Sequence, residues 1–152
     1  MKTKTFADYL EKLEKTTSRN EITEILAKML EKAKLDEVDK LVYLCLGRLV
    51  PLYQSLEFNI AEKMMIKILA QAFNKPEEEI NKKFKQSGDL GDVAFKLSKN
   101  KNKSNLTINK LHKKLVNIAK QEGSGSQQRK INLFTDLLKE LDSLSSKYIV
   151  RI

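Results

Sequence analysis

The chain has 152 residues, 41% hydrophobic and 32% charged, with 29 Lys+Arg against 20 Asp+Glu; this fits one packed domain and excludes global disorder. Five glycines and two prolines are too few for a turn-rich β-sandwich, and the lone Cys45 and lone His112 exclude a disulfide framework, a multi-Cys zinc site and a His-based metal triad. No run of about 18 apolar residues marks a membrane span, and Met1 to Thr5 lead into a helical pattern without a secretory signal, so a soluble intracellular protein is expected.

Helical periodicity then runs along the chain. Phe6, Tyr9, Leu10 and Leu13 recur at helical spacing, with Thr5 as an expected cap. Ser18 and Glu21 form a capping-box pattern ahead of Ile22, Ile25, Leu26, Met29, Leu30 and Ala33. A third helix starts near Asp36 and is punctuated by Gly47 and Pro51, and a fourth is expected to open at Asn59 with Glu62. Pro76 begins a fifth, whose Glu77, Glu78 and Glu79 suit the positive end of the helix dipole. Three consecutive helical residues fan out by about 100° each, so that triplet is not read as a metal cluster. Gly88-Asp89-Leu90-Gly91 separates it from a short sixth helix, and residues 98–105 read as a polar, basic loop without an apolar anchor. Thr107 caps a seventh helix that stops at Gly123, an eighth follows Ser126, and Leu144, Tyr148, Ile149 and Ile152 begin a last pattern that has no C-cap. The expected fold is all-α, one compact domain over residues 1–152 with about eight or more short helices, cut through a longer protein at its end.

Charge is unevenly spread. Residues 1–92 hold 16 Lys+Arg and 16 Asp+Glu, whereas residues 93–152 hold 13 against 4. Within residues 93–130 ten cations face the single acid Glu122. Such a stretch repels itself unless an anion is near, and nucleic-acid phosphate, an acidic membrane surface or an acidic protein all qualify; a solvated lysine-rich face is the plain alternative.

No phosphate-binding loop, dinucleotide fingerprint or catalytic constellation is present, so no catalytic and no metal-ligating residue is assigned. His112, among Lys110, Lys113 and Lys114, reads as a surface residue or a phosphate donor, and Cys45 as a small core hydrophobe. The segment Gly123-Ser124-Gly125-Ser126-Gln127-Gln128-Arg129-Lys130 suits an anion better. Its glycines allow close backbone approach, its hydroxyls donate, and the following helix offers unpaired N–H groups. An ordinary helix-to-helix turn capped by Ser126 is the other reading. Residues 96–133 contain no Phe, Tyr or Trp, and lysine outnumbers arginine 25 to 4. Both facts favour a duplex backbone, gripped without base readout, over a single strand stacked on aromatic rings.

Taken in order, these motifs resemble the N-terminal DNA-binding domain of ATP-dependent DNA ligases of the archaeal and eukaryotic replicative type. The resemblance is carried by Thr17-Ser18-Arg19-Asn20-Glu21-Ile22, Tyr43-Leu44-Cys45-Leu46-Gly47-Arg48-Leu49-Val50-Pro51, Asn59-Ile60-Ala61-Glu62-Lys63, Gly88-Asp89-Leu90-Gly91-Asp92-Val93-Ala94, the Gly123–Ser126 turn with Lys130, and Lys147-Tyr148-Ile149-Val150-Arg151. It implies an all-helical module lying over the minor groove of nicked duplex DNA during nick sealing in replication, repair and recombination. The nucleotidyltransferase domain, with its KxDG lysine, and the OB-fold domain are absent here; ATP and magnesium are implied only for the full-length ligase. Implied DNA contacts are Gly123, Ser124, Gly125, Ser126, Gln127, Arg129 and Lys130, with Arg151 from the last helix; the loop residues Lys99, Lys101 and Lys103, more basic than the family pattern, are expected either to contact DNA or to add long-range attraction. Gly47, Gly88 and Gly91 are expected as turn residues, and Arg19 and Arg48 as ion-pair partners. Expected partners are double-stranded or nicked DNA, the missing ligase domains and a sliding clamp, with the protein a monomer in the cytoplasm or nucleoid, or in a eukaryotic nucleus. A stand-alone basic adaptor and an unrelated architectural nucleic-acid binder are the rival readings.

Overall fold

The spacing of apolar residues every three to four positions gives each segment one greasy stripe, and burying those stripes against one another defines the architecture. The computed structural model describes residues 1–99 and 104–152. Among them the chain forms nine helices: α1 (Thr3–Glu14), α2 (Arg19–Glu31), α3 (Val38–Cys45), α4 (Glu62–Phe73), α5 (Glu77–Ser87), α6 (Leu90–Leu97), α7 (Ile108–Ala119), α8 (Ser126–Glu140) and α9 (Ser143–Arg151). No strand occurs among the described residues; a single antiparallel bridge joins Lys2 to Thr107. The all-α expectation therefore holds.

One continuous core, including the fully buried Phe6, Met29, Leu41, Ile68, Ile80 and Leu115, runs through the molecule. α4 packs between α8 and α5, α7 lies on α8, and α9 is wedged against α6 and α1. The α6–α9 approach is so close that a Cβ on Gly91 would meet the Lys147 carbonyl at 2.6 Å. Gly91 is thus a helix-packing glycine rather than the turn residue expected, whereas Gly47 and Gly88, at φ +67° and +72°, are turn residues.

Several caps fall where the sequence puts them. Ser18 accepts from the Glu21 N–H and Thr107 from Lys110, and the structure adds Asp89, accepting from Asp92, as a cap of α6 that was not expected. Three do not. Thr5 lies inside α1, which begins after Lys2, because Thr3 turns inward and donates its hydroxyl to the Leu106 carbonyl at 2.8 Å. Ala61, not Asn59, precedes α4, and Asn59 is left-handed at φ +49°. Gly125, at φ +74°, precedes α8, which makes Ser126 the first helical residue. The expected loop at 98–105 has buried serines near both ends, Ser98 and Ser104, and Ser104 accepts the Leu106 N–H.

Candidate nucleic-acid interface

The glycine–serine bend is built by two left-handed glycines, Gly123 at φ +76° and Gly125 at φ +74°, that reverse the chain between α7 and α8. Side chains larger than hydrogen rarely adopt that conformation, which is why the bend needs glycine twice. Ser124 and Gln127 are exposed, and Ser126 is half-buried. The Ser126 N–H closes the turn on the Gly123 carbonyl at 3.1 Å, and the Arg129 N–H reaches Gly125 at 3.2 Å. The Gln127 and Gln128 N–H groups donate to no acceptor among the described residues, so the first turn of α8 presents two open donors at its positive end.

The two cations that follow are used differently from the expectation. Arg129 folds back onto the bend, donating to the Ser124 and Glu122 carbonyls, both at 2.8 Å, and to the Gln121 amide oxygen at 3.0 Å. It remains exposed, so its charge still faces solvent while its N–H groups hold the loop. Lys130 turns inward: it is 6% exposed and its ammonium donates to the Phe58 carbonyl at 2.7 Å. Its place is that of an anchor between α8 and the 47–61 loop.

Arg151 lies in a cage of carboxylates. Its guanidinium meets Glu14 at 2.9 Å, Asp89 at 2.9 Å and Asp92 at 3.2 Å, while Lys147 pairs with Glu14 at 3.0 Å and Asp92 at 3.3 Å. Three acids against two bases leave this cluster without surplus positive charge. The Tyr148 hydroxyl, donating to Glu14 at 2.6 Å, together with the Lys147 and Arg151 bonds, pulls the Glu14 carboxyl down to about 2 against a smaller opposing effect of burial. Burial and the Glu14 carboxylate push the Tyr148 phenol upward.

Lys99 is exposed; Lys101 and Lys103 lie outside the described residues. Arg19 and Arg48, expected in ion pairs, are exposed and pair with no carboxylate among the described residues. His112 is half-buried and its Nε2 lies 2.7 Å from the Leu49 carbonyl, so it ties α7 to the 47–61 loop instead of standing at the surface. Cys45 is partly buried against the core, and burial pushes its thiol up to about 11, as expected of a small hydrophobe.

What the sequence motifs passed over is the outer face of α7. Lys110, Lys113, Asn117 and Lys120 are all exposed, and at 100° per residue they fall within an arc of about 80°. None of the three lysines pairs with a carboxylate among the described residues, whereas the neighbouring Lys114 is held by Glu140 at 2.5 Å. The i, i+3, i+7, i+10 spacing carried this signal in the sequence. The stripe leads into the bend, since Lys120 stands three residues before Gly123.

Fold and site together define a helical module with one lysine-lined face ending in a glycine–serine bend. A family model described as DNA ligase N terminus matches residues 2–152, and the chain belongs to that family. It is 38% identical over 99% of its length to a probable DNA ligase of Aquifex aeolicus, 37% identical over 99% to a DNA ligase of Sulfolobus acidocaldarius, and 38% identical over 100% to DNA ligase 1 of Methanosarcina mazei. The match covers 26%, 27% and 26% of those relatives, so the chain spans about a quarter of their length.

Proposed function

We propose that this chain is the part of an ATP-dependent DNA ligase that holds double-stranded or nicked DNA by its backbone, without base readout, along the minor groove. The observation that carries the reading is the stripe of unpaired lysines on α7 running into the bend, where Gln127 and Gln128 offer open N–H donors. Lysine ammonium groups act as point charges on phosphate, and helix-start N–H groups donate to an anion at close range. Gly123, Ser124, Gly125, Ser126 and Gln127 supply the close approach; Arg129 adds its exposed charge while fixing the bend. The absence of Phe, Tyr and Trp over residues 96–133 leaves no stacking platform for a single strand there. Adenylation with ATP and magnesium falls to the rest of the ligase polypeptide, since this sequence has no KxDG lysine. The remaining ligase domains are accordingly its first protein partner, with a sliding clamp as a second, and the setting is intracellular.

Fluorescence anisotropy with a nicked duplex, an intact duplex and single strands tests the reading. Both duplexes are expected to bind comparably and more tightly than single strands. Replacing Lys110, Lys113 and Lys120 by alanine should flatten the log–log salt dependence of duplex binding by about 3, at roughly 0.9 per phosphate contact. A slope unchanged in the triple variant, or a preference for single strands, sinks the assignment.

A further inference from the structure

Arg129 does more than hold the carbonyls of the bend. A guanidinium can only donate, so the atom of Gln121 that lies 3.0 Å from the Arg129 Nε is the amide oxygen. That turns the Gln121 Nε2 back along α7, where it donates to the Asn117 main-chain carbonyl at 3.0 Å and to the Asn117 Oδ1 at 3.4 Å. The orientation is thereby passed on a second time. With Oδ1 facing Gln121, the Asn117 Nδ2 points away from it, and neither of its N–H groups meets an acceptor among the described residues. Asn117 is exposed and Gln121 half-buried. On the outer face of α7, Asn117 stands four residues after Lys113 and three before Lys120, about 6 Å and 4.5 Å away along the helix axis. Both lysines are exposed and pair with no carboxylate among the described residues.

An exposed asparagine amide turns freely in water unless something fixes it. This one is fixed with its two donors outward, between two cations, which suits an anionic oxygen. The acceptor belongs to the sugar–phosphate backbone rather than to a base edge. A helix about 10 Å across is wider than the roughly 6 Å minor groove, so α7 rides on the groove wall, and a side chain as short as asparagine meets phosphate there first. The lysines alone would hold that phosphate at the length of a four-carbon arm; the short amide sets a closer approach. We infer that Asn117 is a phosphate contact of the DNA face, its Nδ2 donating to a backbone oxygen held between the Lys113 and Lys120 ammonium groups, and that Gln121 and Arg129 act on it as positioning residues. This rests on the reading of α7 and the bend as the face that meets DNA.

Duplex anisotropy over a salt series tests it. Asn117→Ala should weaken binding about tenfold, as expected for a hydrogen bond to a charged group, and should leave the melting midpoint unchanged. Its log–log salt slope should match that of the parent, because a neutral amide displaces no counterion. Gln121→Glu tests the positioning: it keeps an oxygen for Arg129 but loses the N–H toward Asn117, whose Nδ2 then turns inward to the new carboxylate. In that background Asn117→Ala should cost less than about twofold, since the donor is already withdrawn. Asn117→Ala binding like the parent overturns the contact. So does a loss confined to A·T-rich duplexes, which would make Asn117 a base-edge reader. An equal loss in both backgrounds overturns the positioning by Gln121 and Arg129. The triple lysine variant separates this inference from the reading beneath it: an unchanged slope there removes the DNA face as a whole, whereas a flattened slope beside a parent-like Asn117→Ala removes the amide contact alone.

Discussion

Arg129 and Lys130 stand side by side at the start of α8 and face opposite ways. A cation at a helix N-terminus opposes the dipole at a cost of roughly 0.3–1 kcal/mol. Arg129 offsets this by laying its guanidinium on the Glu122 and Ser124 carbonyls, so no bound anion is needed to hold it. Lys130 instead reaches the Phe58 carbonyl from a buried position. The sequence contained the sign of this: Lys130, Phe134, Leu137 and Leu141 fall at i, i+4, i+7 and i+11, the face that points into the core. Reading the basic pair as a unit hid it. Lys130→Ala should therefore lower stability by about 1–3 kcal/mol, because it strips a charged donor from a part-buried carbonyl. Lys113→Ala, on the exposed stripe, should stay within about 0.5 kcal/mol of the parent. Thermal melts of the two variants decide this; a Lys130→Ala protein that melts like the parent would return that ammonium to the list of free cations.

Among the elements, α1, α6 and α9 are joined by contacts that periodicity does not report. Helix positions are legible from spacing because each helix must bury one stripe, and all nine lie close to where the apolar pattern puts them. Caps are less legible, since Thr3 and Gly125 take roles decided by a distant carbonyl and by backbone handedness. The Glu14 cluster was not legible at all: Glu14 is 133 residues from Lys147 in sequence, and nothing local marks it out. Its folded-state value of about 2 lies below the ordinary 4.5. The stability it contributes is therefore present above about pH 4.5 and is lost as pH falls toward 2. Because the carboxylate is 41% exposed, solvent screens part of the effect. Glu14→Gln should melt below the parent at neutral pH, and the gap should close as pH is lowered through that window. A gap of constant size from pH 7 down to 2 would show that ionisation of Glu14 contributes nothing to holding α1 against α9.

At the scale of the whole molecule, formal charge and available charge are different quantities. The sequence locates the excess correctly in its last 60 residues, 13 cations against 4 acids. The fold then withdraws several of those cations: Lys130 into the core, Lys147 and Arg151 to the Glu14 cluster, and Lys114 to Glu140. Among the described residues, the α7 stripe and the charge of Arg129 stay available; Lys101 and Lys103 lie outside them. We propose that Lys99, Lys101 and Lys103 bear on capture of DNA more than on the final complex. Long-range attraction raises the encounter rate and is screened beyond about 10 Å at 0.1 M salt, whereas close contacts set how long a complex lasts. Replacing Lys99, Lys101 and Lys103 together by glutamine lowers the formal charge from +9 to +6. In stopped-flow binding to a nicked duplex at low salt this should slow association several-fold and leave dissociation nearly unchanged, with the difference vanishing as salt is raised. Removing Lys113 and Lys120 should instead speed dissociation. If the glutamine variant also releases DNA faster, those three lysines join the α7 stripe as direct contacts, and the grip on the duplex extends past the bend.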